Sequence, residues 1–182
     1  MEDFEALERL GEKLATDFVP IGDIVGDDEV DTKLLRKMAA DAERYIAKFS
    51  WCQEILESYF ANGVGGIFAV FFFRVRSDSD SVSPWIWIMV GDLPSAFLPI
   101  SDCKSDAEAF RLYCWGMSNW VDFARKGQTG TTAQGVPPVN VPSTPEWAEV
   151  LKQRLDSLRE IVAPFFGEDS ELINSIRMSS QR

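Results

Sequence analysis

The chain has 182 residues, 46% hydrophobic and 12% aromatic, which is enough apolar surface for one domain with a sizeable core. Its 29 acidic and 18 basic side chains give a formal net charge of -11, an argument against binding a nucleic-acid backbone or an anionic membrane, which need clustered Lys and Arg. Histidine is absent, and with it go the commonest general base near neutral pH, the Ser-His and Cys-His pairs and most zinc chemistry.

The first 49 residues read as a helical segment. Phe4, Leu7, Leu14 and Phe18 recur at helical spacing, and the helix should end near Pro20. A loop with Gly22, Gly26 and Asp27-Asp-Glu29 follows, and Asp31 is positioned to cap a second helix with Leu34, Leu35, Met38, Ala42, Tyr45, Ile46 and Phe49 on its apolar face. Ser50 and Gln53 stand in capping-box register, so a third helix is expected through Cys52, Ile55, Leu56, Tyr59 and Phe60, stopping at Asn62-Gly63.

The middle of the chain reads as sheet. Ile67–Phe73 is apolar at every position, as a strand covered on both faces would be. A polar connection through Asp78 and Asp80 returns into Trp85–Val90, so these two strands should pair antiparallel. Ala96–Ile100, flanked by Pro94 and holding Pro99, suits a short edge strand.

Ser105 and Glu108 open a helix that carries Phe110, Tyr113, Met117, Trp120, Val121 and Ala124 and closes at Gly127. The stretch from Gln128 to Pro142 has no periodicity and is a long loop, a type of segment enriched in binding sites. Ser143 and Glu146 begin a last helix with Trp147, Leu151, Leu155, Leu158 and Val162 on its buried face, ended by Pro164. The division expected is a single domain over 1–182, with a helical segment at 1–49, an α+β core at 50–166 and a tail at 167–182.

Few residues carry a chemical signature. Cys52, Cys103 and Cys114 lack a metal-binding spacing and suit small buried groups of a reduced protein. The acids at Asp27, Asp28, Glu29 and Asp31 lack the alternation of a calcium loop, so neither a metal nor a cofactor is expected. Asp92 follows a buried strand, and with Asp102 and Asp106 it forms the candidate carboxylate site for a small ligand or acid–base chemistry. The candidate contacts for a protein partner are Asp27, Asp28, Glu29, Asp78 and Asp80, with Trp115 as an aromatic anchor lying off its helix stripe. An acidic opening, Met1-Glu-Asp-Phe-Glu5, and the lack of a long apolar run point to a cytoplasmic protein outside the membrane.

Trp51-Cys52, Val90-Gly-Asp-Leu-Pro94, Trp120-Val121 before Gly127, and Pro137-Pro-Val-Asn140 leading into Thr144-Pro-Glu-Trp147 together carry a resemblance over about residues 50 to 160. The pattern resembles uncharacterised bacterial proteins with a Gly-Asp-Leu-Pro core motif, some of which look like immunity proteins of polymorphic-toxin systems. The resemblance implies a bacterial cytosolic protein and supplies no catalytic residue. The expectation is an α+β fold, a small antiparallel sheet of three or more strands packed by amphipathic helices. Its expected role is non-enzymatic: binding a toxin or secreted effector with a basic surface, with a homodimer as a further reading.

Overall fold

The computed structural model describes residues 4–166. Four helices and five strands follow one another as α1 (Phe4–Ala15), β1 (Val19–Pro20), α2 (Glu29–Ile46), β2 (Cys52–Val64), β3 (Phe68–Ser77), β4 (Trp85–Gly91), β5 (Ala96–Pro99), α3 (Asp106–Arg125) and α4 (Pro145–Val162). The strands form one antiparallel sheet in chain order, β1 to β5, so each strand pairs with its sequence neighbour. The α+β fold expected from the sequence, an antiparallel sheet of three or more strands packed by helices, is therefore present, with β1 and β2 joining the three strands read from the sequence. The chain divides into two compact units, Met1–Ala109 and Phe110–Arg182. The expected tail, 167–182, lies outside the described residues.

The centre of the sheet is β3 against β4, paired without a break from Phe68↔Gly91 to Arg74↔Trp85. Both strands are buried almost throughout, which explains their uninterrupted apolar sequence. Alternation sends Ala69, Phe71, Phe73 and Val75, with Ile86, Ile88 and Val90, to one face, where Leu35, Met38, Ala39, Ala42 and Ile46 of α2 cover them. On the other face Phe72 stacks on Trp85 at 4.8 Å between ring centroids and meets Trp87 at 4.4 Å, while Phe18 packs edge-on against Phe72 and Trp87. Pairs of this kind contribute roughly 0.5–1.5 kcal/mol each beyond simple burial. Trp87 also donates from Nε1 to the Cys103 carbonyl at 2.9 Å, so its buried indole nitrogen is satisfied.

The third helix expected at residues 50–62 is not there. Those residues are strand β2, and α2 ends at Ile46 in a turn where the Cys52 amide donates to the Phe49 carbonyl. The register of β2 on β3 shifts between Cys52 and Glu54, Ile55 and Glu57, and Phe60 and Asn62, so Gln53, Leu56 and Ala61 are bulged residues. Each bulge adds one residue to the alternation, and Ile55, Leu56, Tyr59 and Phe60 then mimic a helical stripe. The bulges also blunt an edge: β1 covers only Tyr59 and Phe60 of β2, and a kinked edge strand resists further pairing. The β2–β3 turn closes with the Ile67 amide on the Val64 carbonyl at 3.1 Å and holds Gly66 at φ 77°, a conformation that suits glycine.

Two caps sit elsewhere than expected. Asp28, not Asp31, caps α2, its carboxylate accepting the Asp31 amide, because the Asp31 side chain is engaged elsewhere. Thr144, not Ser143, caps α4, with Pro145 in the first turn. Ser105 does cap α3, accepting the Glu108 amide at 3.1 Å. The 128–142 stretch is a loop except for a single 3-10 turn at Thr132–Gln134.

In the second unit, α3 and α4 run antiparallel. Arg125 Nε pairs with Glu149 Oε1 at 2.7 Å, Arg159 Nη2 donates to Ser118 Oγ at 2.7 Å, and Phe110 stacks on Phe166. The buried face of α4 is Ala148, Leu151, Leu155, Leu158 and Val162. Trp147, expected on that face, is 41% exposed instead.

Candidate protein-interaction surface

Asp27 and Asp28 stand on a loop that is tied down at several points, and Glu29 opens α2 directly after it. Gly26 donates its amide to Thr32 Oγ1 at 2.8 Å, and the Ile24 carbonyl accepts from Arg36 Nε at 3.1 Å. Asp31, half-buried, accepts the Asp27 amide at 3.0 Å through Oδ2 and the Gly65 amide at 2.7 Å through Oδ1, joining this loop to the β2–β3 turn. Asp31 is thus a positioning residue, a role its type allows and its sequence context does not reveal.

Asp27, Asp28 and Glu29 are all exposed, Asp28 while capping α2 and Glu29 while pairing with Lys33 at 2.8 Å. Residues 21–31 contain five carboxylates and no basic side chain. Within the same stretch Val25 is 77% and Val30 66% exposed, the two highest values among the exposed large hydrophobic side chains of the described residues. Exposed valines on a fixed acidic loop present apolar contact area and negative charge together, without the entropy loss of ordering a floppy segment. The acids stand out in the sequence more plainly than the valines do. Their signal was available, because neither falls on the apolar stripe of α2.

Asp78 and Asp80 occupy the β3–β4 tip and are exposed. Ser77 Oγ accepts the Ser79 amide at 3.0 Å and Ser79 Oγ lies 2.7 Å from Ser81 Oγ, a serine-braced turn that leaves both carboxylates outward. In the second unit Trp115 is 51% exposed on α3. A Cβ at Gly135 would collide with its ring, and Asn119 Nδ2 donates to the Gly135 carbonyl at 3.2 Å, so the loop after α3 lies against the indole and braces it.

The residues of the candidate carboxylate site have different settings. Asp92 is exposed in the turn after β4, where its amide donates to the Ile67 carbonyl at 3.0 Å. Asp102, also exposed, accepts from Ser101 Oγ at 3.2 Å, whereas half-buried Asp106 accepts from Asn62 Nδ2 at 3.1 Å. Among the described residues, no three Cys, Asp or Glu side chains converge as metal ligands would, and no helix is long and apolar enough to cross a membrane.

A second polar cluster escaped the sequence reading. Arg74 on β3 donates to Glu57 Oε1 at 2.8 Å and pairs with Glu8 on α1, with Glu12 at 3.9 Å. Its guanidinium also lies 5.8 Å from the centroid of the Trp85 ring. Tyr59 donates to the other Glu57 oxygen at 2.7 Å. The Tyr59 hydroxyl, then the Arg74 guanidinium, hold the Glu57 carboxyl below its ordinary range, and the same carboxylate raises the Tyr59 phenol. Glu57 and Tyr59 share a face only once β2 is a strand, so expecting a helix there hid the cluster.

The three cysteines are unpaired. Burial, helped by the charges of Asp102 and Glu108, pushes the Cys103 thiol up to about 12, and burial does the same to Cys114. Neither is a poised nucleophile at neutral pH.

No protein-family model matches the chain, and no curated protein and no solved structure matches it significantly.

Proposed function

We propose that this chain is a non-enzymatic protein-binding module for a partner with a basic surface, in its most concrete form a bacterial immunity protein that occludes a toxin or secreted effector. The observation that carries the reading is the braced stretch at residues 21–31, the loop before α2 and the first turn of that helix, where exposed Asp27, Asp28 and Glu29 lie in sequence between solvent-facing Val25 and Val30. Negative charge on such a loop speeds encounter with a basic partner, and the apolar side chains slow its departure. Asp78 and Asp80 extend the acidic character of the first unit, and Trp115 supplies an aromatic contact on the second. The net charge of -11 and the lack of histidine fit binding better than acid–base catalysis. Three unpaired thiols suit a reducing compartment such as the cytoplasm.

The experiment is affinity purification of the tagged full chain from its native host at low and high salt, with mass spectrometry of what is retained. One stoichiometric basic protein, lost as salt rises, is the expected result. Retention of only small molecules, or of a protein whose binding ignores salt, overturns the reading.

A further inference from the structure

Helix α1 rests on the aromatic face of the sheet in an unusual way. Only Gly11 and Ala15 of its 12 residues are fully buried. Gly11 lies so close to the Trp85 indole that any Cβ there would overlap the ring, including the edge that carries Nε1. Trp85 is fully buried, and its indole N–H finds no hydrogen-bond acceptor among the described residues. A buried donor without a partner is penalised for as long as the helix covers it, and water would satisfy it at once.

The contacts that hold α1 down are concentrated and half-exposed. Glu8, with Glu12 further off, engages Arg74, which is fixed from below by Glu57 and through it by Tyr59. Leu7, Leu10 and Leu14 are only half-buried, and Phe4 is exposed. A 12-residue helix is too short to persist in water without its packing. The Thr16, Asp17 and Phe18 amides still donate to the Lys13, Leu14 and Ala15 carbonyls of α1, but the side chain of Phe18 and the strand that follows have anchors of their own on the sheet. Phe18 sits against Phe72 and Trp87, and Val19 and Pro20 pair with Phe60 and Tyr59.

From this geometry we infer that α1 is a hinged cover, latched by Arg74, that opens over Trp85 while Phe18, β1 and the rest of the sheet stay in place. The hinge is Thr16-Asp17, between the last turn of α1 and the Phe18 anchor. The latch is the Glu8–Arg74–Glu57 bridge, and the unpartnered indole N–H biases the cover towards opening. Because the bridge is half-exposed, salt weakens it more than it weakens the packing of β3 on β4.

Hydrogen exchange of the full chain, read by mass spectrometry for the backbone and by NMR for the Trp85 indole N–H, tests this. In the wild type, the amides of α1 and the Trp85 indole exchange together, at least about tenfold faster than the amides of β3 and β4, and faster still in 1 M salt. Arg74→Gln raises exchange in α1 roughly a further tenfold and leaves β3 and β4 unchanged, as expected for loss of its part-exposed pairs with Glu8 and Glu12 of α1. Should Arg74→Gln unfold the sheet, Glu57→Gln cuts the same latch from below and is read in the same way. Exchange of α1 and the indole at the rate of β3 and β4, or fast exchange of α1 that neither variant nor salt alters, overturns the inference.

Discussion

Replacing Asp31 by alanine tests the interactions that hold the acidic loop. The carboxylate accepts the Gly65 amide at 2.7 Å and the Asp27 amide at 3.0 Å, so the change removes two charge-assisted bonds at once. Such bonds contribute about 1.5–3 kcal/mol each. The Gly65 amide is part-buried and should cost about 2 kcal/mol when left bare, while the Asp27 amide is exposed, finds water and adds about 0.5 kcal/mol. The sum, about 2.5 kcal/mol, corresponds to a fall in Tm of roughly 5–10 °C for a chain of this size. Asp31→Asn keeps one acceptor oxygen and should lose about half as much. Urea unfolding followed by tryptophan fluorescence measures both variants, with the m-value checked for constancy. A loss below about 0.5 kcal/mol for Asp31→Ala would refute the reasoning, because the loop would then be held by something other than this carboxylate.

Two further outcomes follow from the titrating groups. Glu57 has a folded-state pKa below its unfolded value, so its contribution to stability is complete above the ordinary carboxylate range and disappears as pH falls through the depressed value. Glu57→Gln should therefore be less stable than wild type near neutrality, with the gap closing as pH falls from the ordinary carboxylate range through the depressed value, and a gap independent of pH contradicts the assignment. Thiol titration of the native protein with a charged disulfide reagent at pH 8 should find Cys103 and Cys114 silent, since burial pushes both to about 12. Only half-buried Cys52 is open to slow reaction, and all three should react once the protein is unfolded in urea; two fast native thiols would contradict the packing around α3.

The parts of the fold that follow a single rule could be read from the sequence. Ile67–Phe73 and Trp85–Val90 were legible as central strands because a strand buried on both faces has no polar alternation to confuse it. Helices α1 to α4 were legible from period and caps, with starts displaced by a few residues where two capping side chains lay close together, as Asp28 and Asp31 do, and with ends overrun: α1 stops at Ala15 instead of near Pro20, and α2 at Ile46 instead of Phe49. Strand β2 was not legible, because its three bulges convert an alternation of two into spacings that suit a helix equally well. That one error concealed the Arg74 cluster, since Glu57 and Tyr59 meet Arg74 only through pairing of β2 with β3. Of the candidate surface, the charges were evident from composition. The position of Val25 and Val30 off the apolar stripe of α2 was there to be read as well, whereas the exposure of Trp147 was not, because it depends on which flank of α4 its neighbours leave open.

The central claim is that the acidic stretch at residues 21–31, the loop and first turn of α2, recruits a basic protein by charge. The direct measurement is the association rate of the co-purified partner, as a function of ionic strength, with wild type and with the triple variant Asp27→Asn, Asp28→Ser, Glu29→Gln. Serine retains the helix cap that Asp28 provides, so the variant removes charge while keeping the fold of α2. The account predicts association slowed by roughly three- to tenfold at low salt, a flatter dependence on ionic strength, and a nearly unchanged dissociation rate. Equal association rates with parallel salt dependences would contradict it and remove this loop from the binding surface.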